Sequence, residues 1–329
     1  MQKINREVLI DKANELLSSG KIDRILGWAK GEFAYDQTPS IFYSTEMMEK
    51  NFVFDDFSGA NFSKYLVAET RKGDNKVLVF LKPCDTYSFN QLLTEHRFDK
   101  EKVYAIGIPC DGMVDVKKVK DLVGDGIVSI KAEGDNLVVE TLYDGIKTIS
   151  KKDALQERCV NCKSKKHVYY DELIGEDGEA LDSNRFDQVE QLEKMTADQR
   201  FAFWQTELSK CIRCNACRDV CPACTCEKCV FNNPNSGIEN KSPANEFEEK
   251  MFHLIRAFHV AGRCTDCGEC SRVCPQGIPL HLLNRKFIKD INEFYGDYQA
   301  GEVEGSRAPL VNYTKEDIEP VDAVNKEEK

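Results

Sequence analysis

The stretches CIRCNACRDVCP at residues 211–222 and CTDCGECSRVCP at residues 264–275 are two copies of one cysteine pattern. In each copy, two residues lie between the first and second cysteines and two between the second and third. Three residues lie between the third and fourth cysteines, and proline follows the fourth. The cysteines are Cys211, Cys214, Cys217 and Cys221 in the first copy and Cys264, Cys267, Cys270 and Cys274 in the second. The repeat predicts two thiolate metal centres in one domain.

This spacing is typical of [4Fe-4S] ligation, in which three cysteines of a run hold one cluster and the fourth ligates the other cluster. It predicts one cluster on Cys211, Cys214, Cys217 and Cys274 and a second on Cys264, Cys267, Cys270 and Cys221. Structural zinc is the alternative, but a zinc site is completed by two separate cysteine pairs and does not require a third cysteine at the same spacing. The motifs therefore favour a protein that moves electrons one at a time.

Composition limits the class of protein. At 329 residues the chain is long enough for two domains, and its net charge of −11 argues against binding nucleic acid, which requires a basic surface. No apolar run is long enough to span a bilayer, and the N-terminal residues lack the apolar core of a signal peptide. Fifteen cysteines in such a chain suggest reduced thiolate ligands, so we expect a cytoplasmic location.

The N-terminal half has the pattern of an α/β domain. Residues 76–82 (KVLVFLK) and 103–108 (VYAIGI) are buried-strand runs, and residues 85–97 between them have helical length. Strand, helix and strand at this spacing predict a βαβ unit with a short parallel sheet. The pattern also predicts a helix over 4–18 and a pair of short antiparallel strands within 127–149, whereas residues 21–75 give no clear signal.

The C-terminal half is predicted to be an α-helical ferredoxin-like dicluster domain, because helical patterns at 201–209, 245–260 and 279–294 surround the cysteine motifs. We predict an α/β domain over 1–170, a polar linker over 171–195, the dicluster domain over 196–300 and an acidic, flexible tail over 301–329.

A second group of cysteines lies in the α/β domain. Cys84 and Cys110 each follow one of the two strands and each sits in the tripeptide Pro-Cys-Asp. Neighbouring parallel strands end at the same edge of a sheet, where ligands gather, so we expect these cysteines to be close together. Cys159 and Cys162 form a further pair downstream. The four predict a third [4Fe-4S] cluster, with zinc as the alternative metal and buried, unliganded thiols as the alternative without one.

Three further cysteines and several charged residues remain. Cys224, Cys226 and Cys229 do not close a four-ligand site; they are either plain thiols or ligands of a further cluster completed from outside. Four arginines beside the motifs are candidates for raising cluster potentials: Arg213, Arg218, Arg263 and Arg272. His253 and His259 are either ligands or packed helix residues, and residues 163–167 form a basic group that either is solvated or docks an acidic ferredoxin.

The motifs carry a resemblance to known families. KPCD (82–85), GIPCDG (107–112) and CVNC (159–162) resemble the N-terminal part of the beta subunits of deazaflavin-coenzyme-reducing hydrogenase and formate dehydrogenase. Residues 211–226 and 253–279 are similar to α-helical ferredoxin domains of the heterodisulfide-reductase type. The resemblance implies an iron–sulfur subunit of a cytosolic oxidoreductase in an anaerobe. Its implied partners are catalytic subunits of a hydrogenase, a formate dehydrogenase or a bifurcating enzyme, together with a ferredoxin-like carrier.

Three functions follow as hypotheses. The first is an electron-transfer subunit with clusters alone, since no nucleophile–base pair is visible. The second is a catalytic subunit with bound FAD or FMN that reduces a deazaflavin, a nicotinamide or a folate, because some members of the resembling family bind FAD. The chain lacks G-x-G-x-x-G and P-loop motifs, so no short motif supports a flavin. The third, a cluster-based sensor, is disfavoured by the acidic charge.

Overall fold

The computed structural model describes residues 4–33, 35–179, 181–233 and 246–311. The N-terminal region is an α/β structure built on a sheet with parallel and antiparallel strands, and the C-terminal region is helical. The strands are β1 (Arg24–Lys30), β2 (Gln37–Phe42), β3 (Val77–Leu81), β4 (Val103–Gly107), β5 (Ile127–Glu133), β6 (Asn136–Thr141), β7 (Gly145–Ser150) and β8 (Glu172–Leu173). The helices are α1 (Arg6–Ser18), α2 (Thr45–Asn51), α3 (Ser63–Glu69), α4 (Pro83–Thr94), α5 (Val116–Val123), α6 (Glu157–Val160), α7 (Asp187–Glu193), α8 (Ala197–Leu208), α9 (Ala216–Asp219), α10 (Glu246–Val260), α11 (Glu269–Arg272) and α12 (Leu280–Tyr295).

The main sheet has five strands in the order β2-β1-β3-β4-β8. The β1–β3, β3–β4 and β4–β8 pairs are parallel, and only β1–β2 is antiparallel. Every residue of β3 and β4 is buried, because helices and loops cover both faces of the sheet, and this is why these strands are continuous apolar runs. The predicted strand–helix–strand unit is confirmed, with β3, α4 and β4 in the expected places.

Helix α4 begins directly after β3, and its first residues explain the sequence Lys-Pro-Cys-Asp. Pro83 occupies the first helical position, where a missing N–H costs nothing. The Asp85 carboxylate accepts a hydrogen bond from the backbone N–H of Lys82 (3.2 Å), as an acidic residue at the third helical position often does. Cys84 is thereby fixed at the N-terminus of a helix, at the carboxyl end of a central strand.

A second, three-stranded antiparallel sheet, β5-β6-β7, follows α5. The predicted hairpin of β5 and β6 is confirmed, with Gly134 in the left-handed region of its turn (φ +61°). The sequence did not predict the third strand, β7, which pairs with β6 along its whole length. Its residues Gly145–Ser150 are mostly exposed or half-buried, so they lack the apolar alternation of a half-buried strand.

Residues 171–195, predicted as a linker, contain strand β8 on the edge of the main sheet and helix α7, which packs against α12. Of the predicted tail, residues 301–311 are described and residues 312–329 lie outside the described ranges. Within the described part of the chain, no helix is both long enough and apolar enough to cross a membrane.

The helical region forms its own small core. The predicted helices over 201–209, 245–260 and 279–294 are confirmed as α8, α10 and α12, except that Asn245 lies outside the described residues. Leu208, Phe231, Phe252, Ile278 and Leu280 form this core together with two cysteines of the repeated motifs, Cys217 and Cys270. The cysteine motifs are therefore part of the packing that holds the helices together.

The contact of Gly301 with α4 yields a test of how the C-terminal residues are held. Gly301 has φ +76°, and a Cβ added there would lie 1.9 Å from the backbone oxygen of Tyr87. Gly305 has a similar φ of +78° but open space around it. Gly305→Ala should cost about 1–2 kcal/mol from left-handed strain alone. Gly301→Ala should lower the midpoint of thermal unfolding, measured by circular dichroism, by clearly more than Gly305→Ala. Equal shifts would contradict this packing.

Candidate metal centres

Cys84, Cys110, Cys159 and Cys162 line a single cavity. Cys84 begins α4 after β3, Cys110 follows β4, and the other two lie in and just after α6. The right-handed crossover between two parallel neighbours places the first two cysteines at the same sheet edge, and α6 brings the second pair to them. The structure thus brings together the four cysteines that the sequence grouped.

Backbone N–H groups point at two of these sulfurs. The Gly112 N–H lies 3.4 Å from Cys110 Sγ, and the Met113 N–H lies 3.4 Å from Cys159 Sγ. Gly112 needs its glycine because its φ is +110° and a Cβ would come within 3.0 Å of Leu155. Amide hydrogen bonds to sulfur stabilise thiolate ligands and tune the potential of the cluster they hold.

Burial controls the protonation of the same thiols. It raises the pKa of Cys110 to about 11, and it also raises the pKa of Cys84 and of Cys162. A buried thiol without metal therefore keeps its proton, and ligation of a metal releases that proton. Four convergent thiols with N–H donors around them fit a [4Fe-4S] cluster, which is held by four cysteine thiolates.

A buried lysine lies beside this cavity. Lys82, 1% exposed, places its Nζ 2.8 Å from the Asp85 carboxylate and donates to the Ala60 carbonyl (3.0 Å). Its positive charge favours the thiolate forms of both Cys84 and Cys110. No sequence pattern indicated this role, because a lysine at the end of a strand is ordinarily solvated.

The two repeated motifs have the same backbone conformation. Arg213 and Asp266 occupy matching positions and both have left-handed φ angles (54° and 57°); Asn215 and Gly268 also match, at 62° and 66°. Each motif then continues into a one-turn helix, α9 or α11. The left-handed residue turns the backbone so that the Arg213 N–H lies 3.4 Å from Cys211 Sγ, and the Asp266 N–H likewise donates to Cys264.

Two other members of the predicted first group act on Cys217. Burial raises the pKa of Cys217, the charge of Arg256 lowers it, and the charges of Cys274 and Cys214 raise it. Cys274 belongs to the second motif, and the exchange of fourth cysteines stays a prediction. Among the described residues, no three His, Cys, Asp or Glu side chains are grouped to hold a single metal ion.

Arg256 on α10 touches the first motif from inside the protein. It is 5% exposed, and its Nη atoms donate to Cys217 Sγ (3.4 Å) and to the Cys217 carbonyl (3.1 Å). Burial alone would lower its pKa, but the charges of Cys217, Cys224 and Cys221 raise that pKa above its usual value. Sequence reasoning missed Arg256, because a single arginine in an amphipathic helix looks like an exposed residue.

Arg158 joins the two regions of the protein. Its Nη1 donates to Glu269 Oε1 (2.5 Å) and to the Cys267 carbonyl (2.6 Å), and its Nη2 donates to the Gly59 carbonyl (2.6 Å). Arg158 precedes Cys159 in the chain, while Glu269 lies between two cysteines of the second motif. The guanidinium therefore lies between the α/β cavity and the second motif, and Cys267 lines that same cavity.

Glu269 is completely buried and paired with two arginines. Burial alone would raise its pKa, but Arg272 (2.7 Å) and Arg158 lower that pKa to about 2. The carboxylate also accepts the backbone N–H of Asn61 (3.2 Å). Because the folded pKa is depressed, this contribution to stability is complete above the ordinary value of 4.5 and is lost as the pH falls through about 2.

The arginines and histidines singled out in the sequence have varied contacts. Arg218, Arg263 and Arg272 form ion pairs with carboxylates of the same chain. Arg213 stacks on Phe252, with its guanidinium carbon 4.1 Å from the ring centre. His253 Nε2 lies 3.3 Å from Cys211 Sγ, and burial, with help from nearby arginines, lowers the His253 pKa to about 3.

The basic group at residues 163–167 faces mostly inward. Lys163 donates to the Thr265 carbonyl (2.9 Å), Lys165 donates to the Cys110 carbonyl (3.3 Å), and His167 bonds Asp177 and the Leu81 carbonyl. Only Lys166 is exposed. The expectation of a solvated loop or docking patch is wrong here, because these side chains bind backbone oxygens around the cysteine cavity.

Comparison with known proteins agrees with this geometry. Residues 207–278 match the family model of the 4Fe-4S dicluster domain. The chain carries a 4Fe-4S dicluster domain. It is also similar to the F420-dependent formate dehydrogenase subunit beta of Methanocaldococcus jannaschii, at 23% identity over 90% of this chain and 92% of that protein. A formate dehydrogenase 1 subunit beta of Methanococcus maripaludis, also F420-dependent, is 24% identical over 75% of this chain and 78% of its own length.

The resemblance predicted from the motifs is thereby confirmed over most of the chain. Among solved structures, the F420-reducing [NiFe] hydrogenase complex from Methanosarcina barkeri matches 47% of this chain and 58% of the hydrogenase chain, with 17% identity and a TM-score of 0.37.

The ion pair of Glu269 yields a prediction for stability. Glu269→Gln removes the negative charge that pairs with the buried Arg158 and should cost about 3–5 kcal/mol, since it leaves a buried charge uncompensated. Glu193→Gln, which breaks ion pairs with Lys286 and Lys289 at the protein surface, is the control and should cost no more than about 1 kcal/mol. Thermal unfolding of anaerobically purified protein measures both. A Glu269 variant as stable as the control would refute the role of this pair.

The contact of Arg256 yields a prediction for redox potential. Arg256→Gln removes a charged donor to Cys217 Sγ, so the reduced state loses stabilisation and one cluster potential should fall by about 50–100 mV. Arg200→Gln is the matched control, because Arg200 on α8 donates to the Glu193 and Met195 carbonyls instead. Redox titration followed by electron paramagnetic resonance measures the shift. Equal potentials in the Arg256 variant and the wild type would reject the assignment.

Proposed function

We propose that this chain is the iron–sulfur electron-transfer subunit of an oxidoreductase complex related to F420-dependent formate dehydrogenase and F420-reducing hydrogenase. Its relatives over most of the chain are named as beta subunits of formate dehydrogenases that depend on F420, a deazaflavin. In this proposal the chain passes single electrons between a catalytic subunit that oxidises formate or hydrogen and a deazaflavin or ferredoxin-like carrier, in the cytoplasm of an anaerobe.

Continuity between the cysteine groups is the observation that carries the proposal. The cavity of Cys84, Cys110, Cys159 and Cys162 is also lined by Cys267 of the second motif. Arg256 contacts Cys217 of the first motif, and its charge also acts on Cys270 of the second. These contacts support a relay in which three sets of four thiols would follow one another through the protein.

The proposed ligand sets are those that the spacing predicted: Cys84, Cys110, Cys159 and Cys162; Cys264, Cys267, Cys270 and Cys221; and Cys211, Cys214, Cys217 and Cys274. Each [4Fe-4S] cluster, when bound, would supply one-electron redox chemistry. The fold of the dicluster region would be the α-helical ferredoxin type, given that long helices rather than strands surround its motifs.

In this proposal the chain's own residues stabilise the charge of the bound clusters. Buried arginines and lysines beside the sulfurs, among them Arg256, Arg158 and Lys82, offset the negative charge that the thiolates carry. Arg256 donates directly to Cys217 Sγ, and Cys217 and Cys270 are buried, while most of the other cysteines are half-buried. These conditions favour electron transfer without chemical change in the protein.

The α/β cavity provides the test. Replacing Cys84 and Cys110 together with serine should lower the iron and acid-labile sulfide of anaerobically purified protein by about four of each per chain. Asn161→Ala, which changes the lining of the same cavity without removing sulfur, is the control and should leave both unchanged.

Three other results would change the assignment. Loss of about one zinc in place of the iron would make the α/β site a zinc site. Equal iron in the double variant and the wild type would remove the third cluster. Stoichiometric FAD or FMN in the wild type would favour a catalytic subunit that reduces a deazaflavin, a nicotinamide or a folate.

A further inference from the structure

Cys224, Cys226 and Cys229, which the relay does not use, line one open pocket of about 660 Å³. The pocket lies between α3 of the α/β region and α10 of the helical region, with the loop that carries the three cysteines forming its floor. Its volume is within the range of small-molecule sites, and the boundary between two regions is a common place for them. None of the three cysteines is in a disulfide.

Positive side chains outnumber negative ones in the lining of this pocket. Five side chains are positive: Lys64, Arg71, Arg218, Arg256 and Arg263. Arg218 pairs with Asp219, Arg71 with Glu227 and Arg263 with Glu95, so Lys64 and Arg256 supply the remaining positive charge. An excess of positive charge beside thiols stabilises thiolates and anything anionic that binds among them.

Two buried polar atoms at the pocket have no partner in the described part of the chain. Arg256 is 95% buried, yet its Nε makes no hydrogen bond, and Thr225 Oγ1 is likewise buried and unsatisfied. Native proteins seldom leave such atoms unpaired, because each costs about 1–3 kcal/mol. Both atoms belong to residues that line the pocket, so a bound group there would have donors available.

The pocket also touches the relay. The Cys224 thiol is hydrogen-bonded to the sulfur of Cys221, a proposed ligand of the second cluster. Arg256 reaches from the pocket to Cys217 Sγ (3.4 Å). A redox group in the pocket would therefore lie directly beside the proposed clusters.

We propose that Cys224, Cys226 and Cys229 bind a further [4Fe-4S] cluster whose fourth iron faces the pocket and takes a small anionic ligand. Four thiolates close an ordinary cluster, whereas three leave one iron position open, and the cationic lining selects an anion for it. The three thiols lose their protons to solvent when they bind iron, and no electron is transferred in that step. This site rests on the proposed function, because the relay would supply its electrons.

The test compares the wild type with the double variant Cys226→Ser and Cys229→Ser. Cys224 is left in place because its replacement would disturb Cys221. Lys228→Ala is the matched control, since Lys228 is exposed in the same loop and does not line the pocket. The double variant should lose about four iron and four sulfide per chain, while Lys228→Ala keeps the wild-type content. Circular dichroism and the signals of the remaining clusters in electron paramagnetic resonance check that the double variant is folded.

The open position has its own readout. Cyanide, a small anion that binds exposed iron, should change the electron paramagnetic resonance spectrum of the reduced wild type and leave that of the double variant unchanged. Iron loss without any cyanide effect would refute the open position, and zinc loss in place of iron would refute the cluster.

Equal iron in the double variant and the wild type would overturn this site while leaving the relay intact. Failure of the proposed relay would be detected separately, as an unchanged iron content in the variant in which Cys84 and Cys110 are replaced by serine.

Discussion

The ion pair between Arg158 and Glu269 joins the α/β region to the second cysteine motif from inside the protein. Arg158 also binds two backbone oxygens, one from each region, so its planar guanidinium sets the distance between them. A lysine in place of Arg158 would carry its charge on a single nitrogen. It could not hold three acceptors in the plane that the guanidinium defines. Arg158 and Glu269 place the cysteine cavity beside Cys267 together with the hydrogen bond from Lys163 to the Thr265 carbonyl.

Charge compensation is the second constraint, and it follows from burial. Thiols in a low-dielectric interior resist ionisation, as the raised pKa values of Cys110 and Cys217 show. A protein that is to hold thiolates there must bring positive charge with them, and Arg256 and Lys82 do so from a helix and a strand end. An acidic chain with a net charge of −11 thus keeps a set of its cations inside.

The sequence was informative where one local pattern determines structure. Buried parallel strands produce the unbroken apolar runs of β3 and β4, and the cysteine spacing identified the dicluster motifs that the family comparison confirmed. Strand β1 was missed because Arg24 and Gly27 interrupt its pattern. Gly27 is required there since the Phe52 ring packs against the backbone, 2.8 Å from where a Cβ would lie.

Several contacts at the sites could not be predicted from the sequence because their two partners lie far apart in the chain. Arg158 and Glu269 are 111 residues apart, and Arg256 is 39 residues from Cys217, so no short window contains either contact. The inward turn of Lys163 and Lys165 was hidden for the same reason, because their acceptors are backbone oxygens from other segments.

The place of Cys217 and Cys270 within the helical core has a consequence for handling the protein in air. If the proposed clusters bind these cysteines, their destruction by oxygen would disturb a core that holds only five other buried side chains among the described residues. The helices around it would then lose their packing together with their redox group, since metal binding and folding draw on the same free energy. Oxidative damage in this domain would therefore be a loss of architecture, and repair would require refolding as well as new iron.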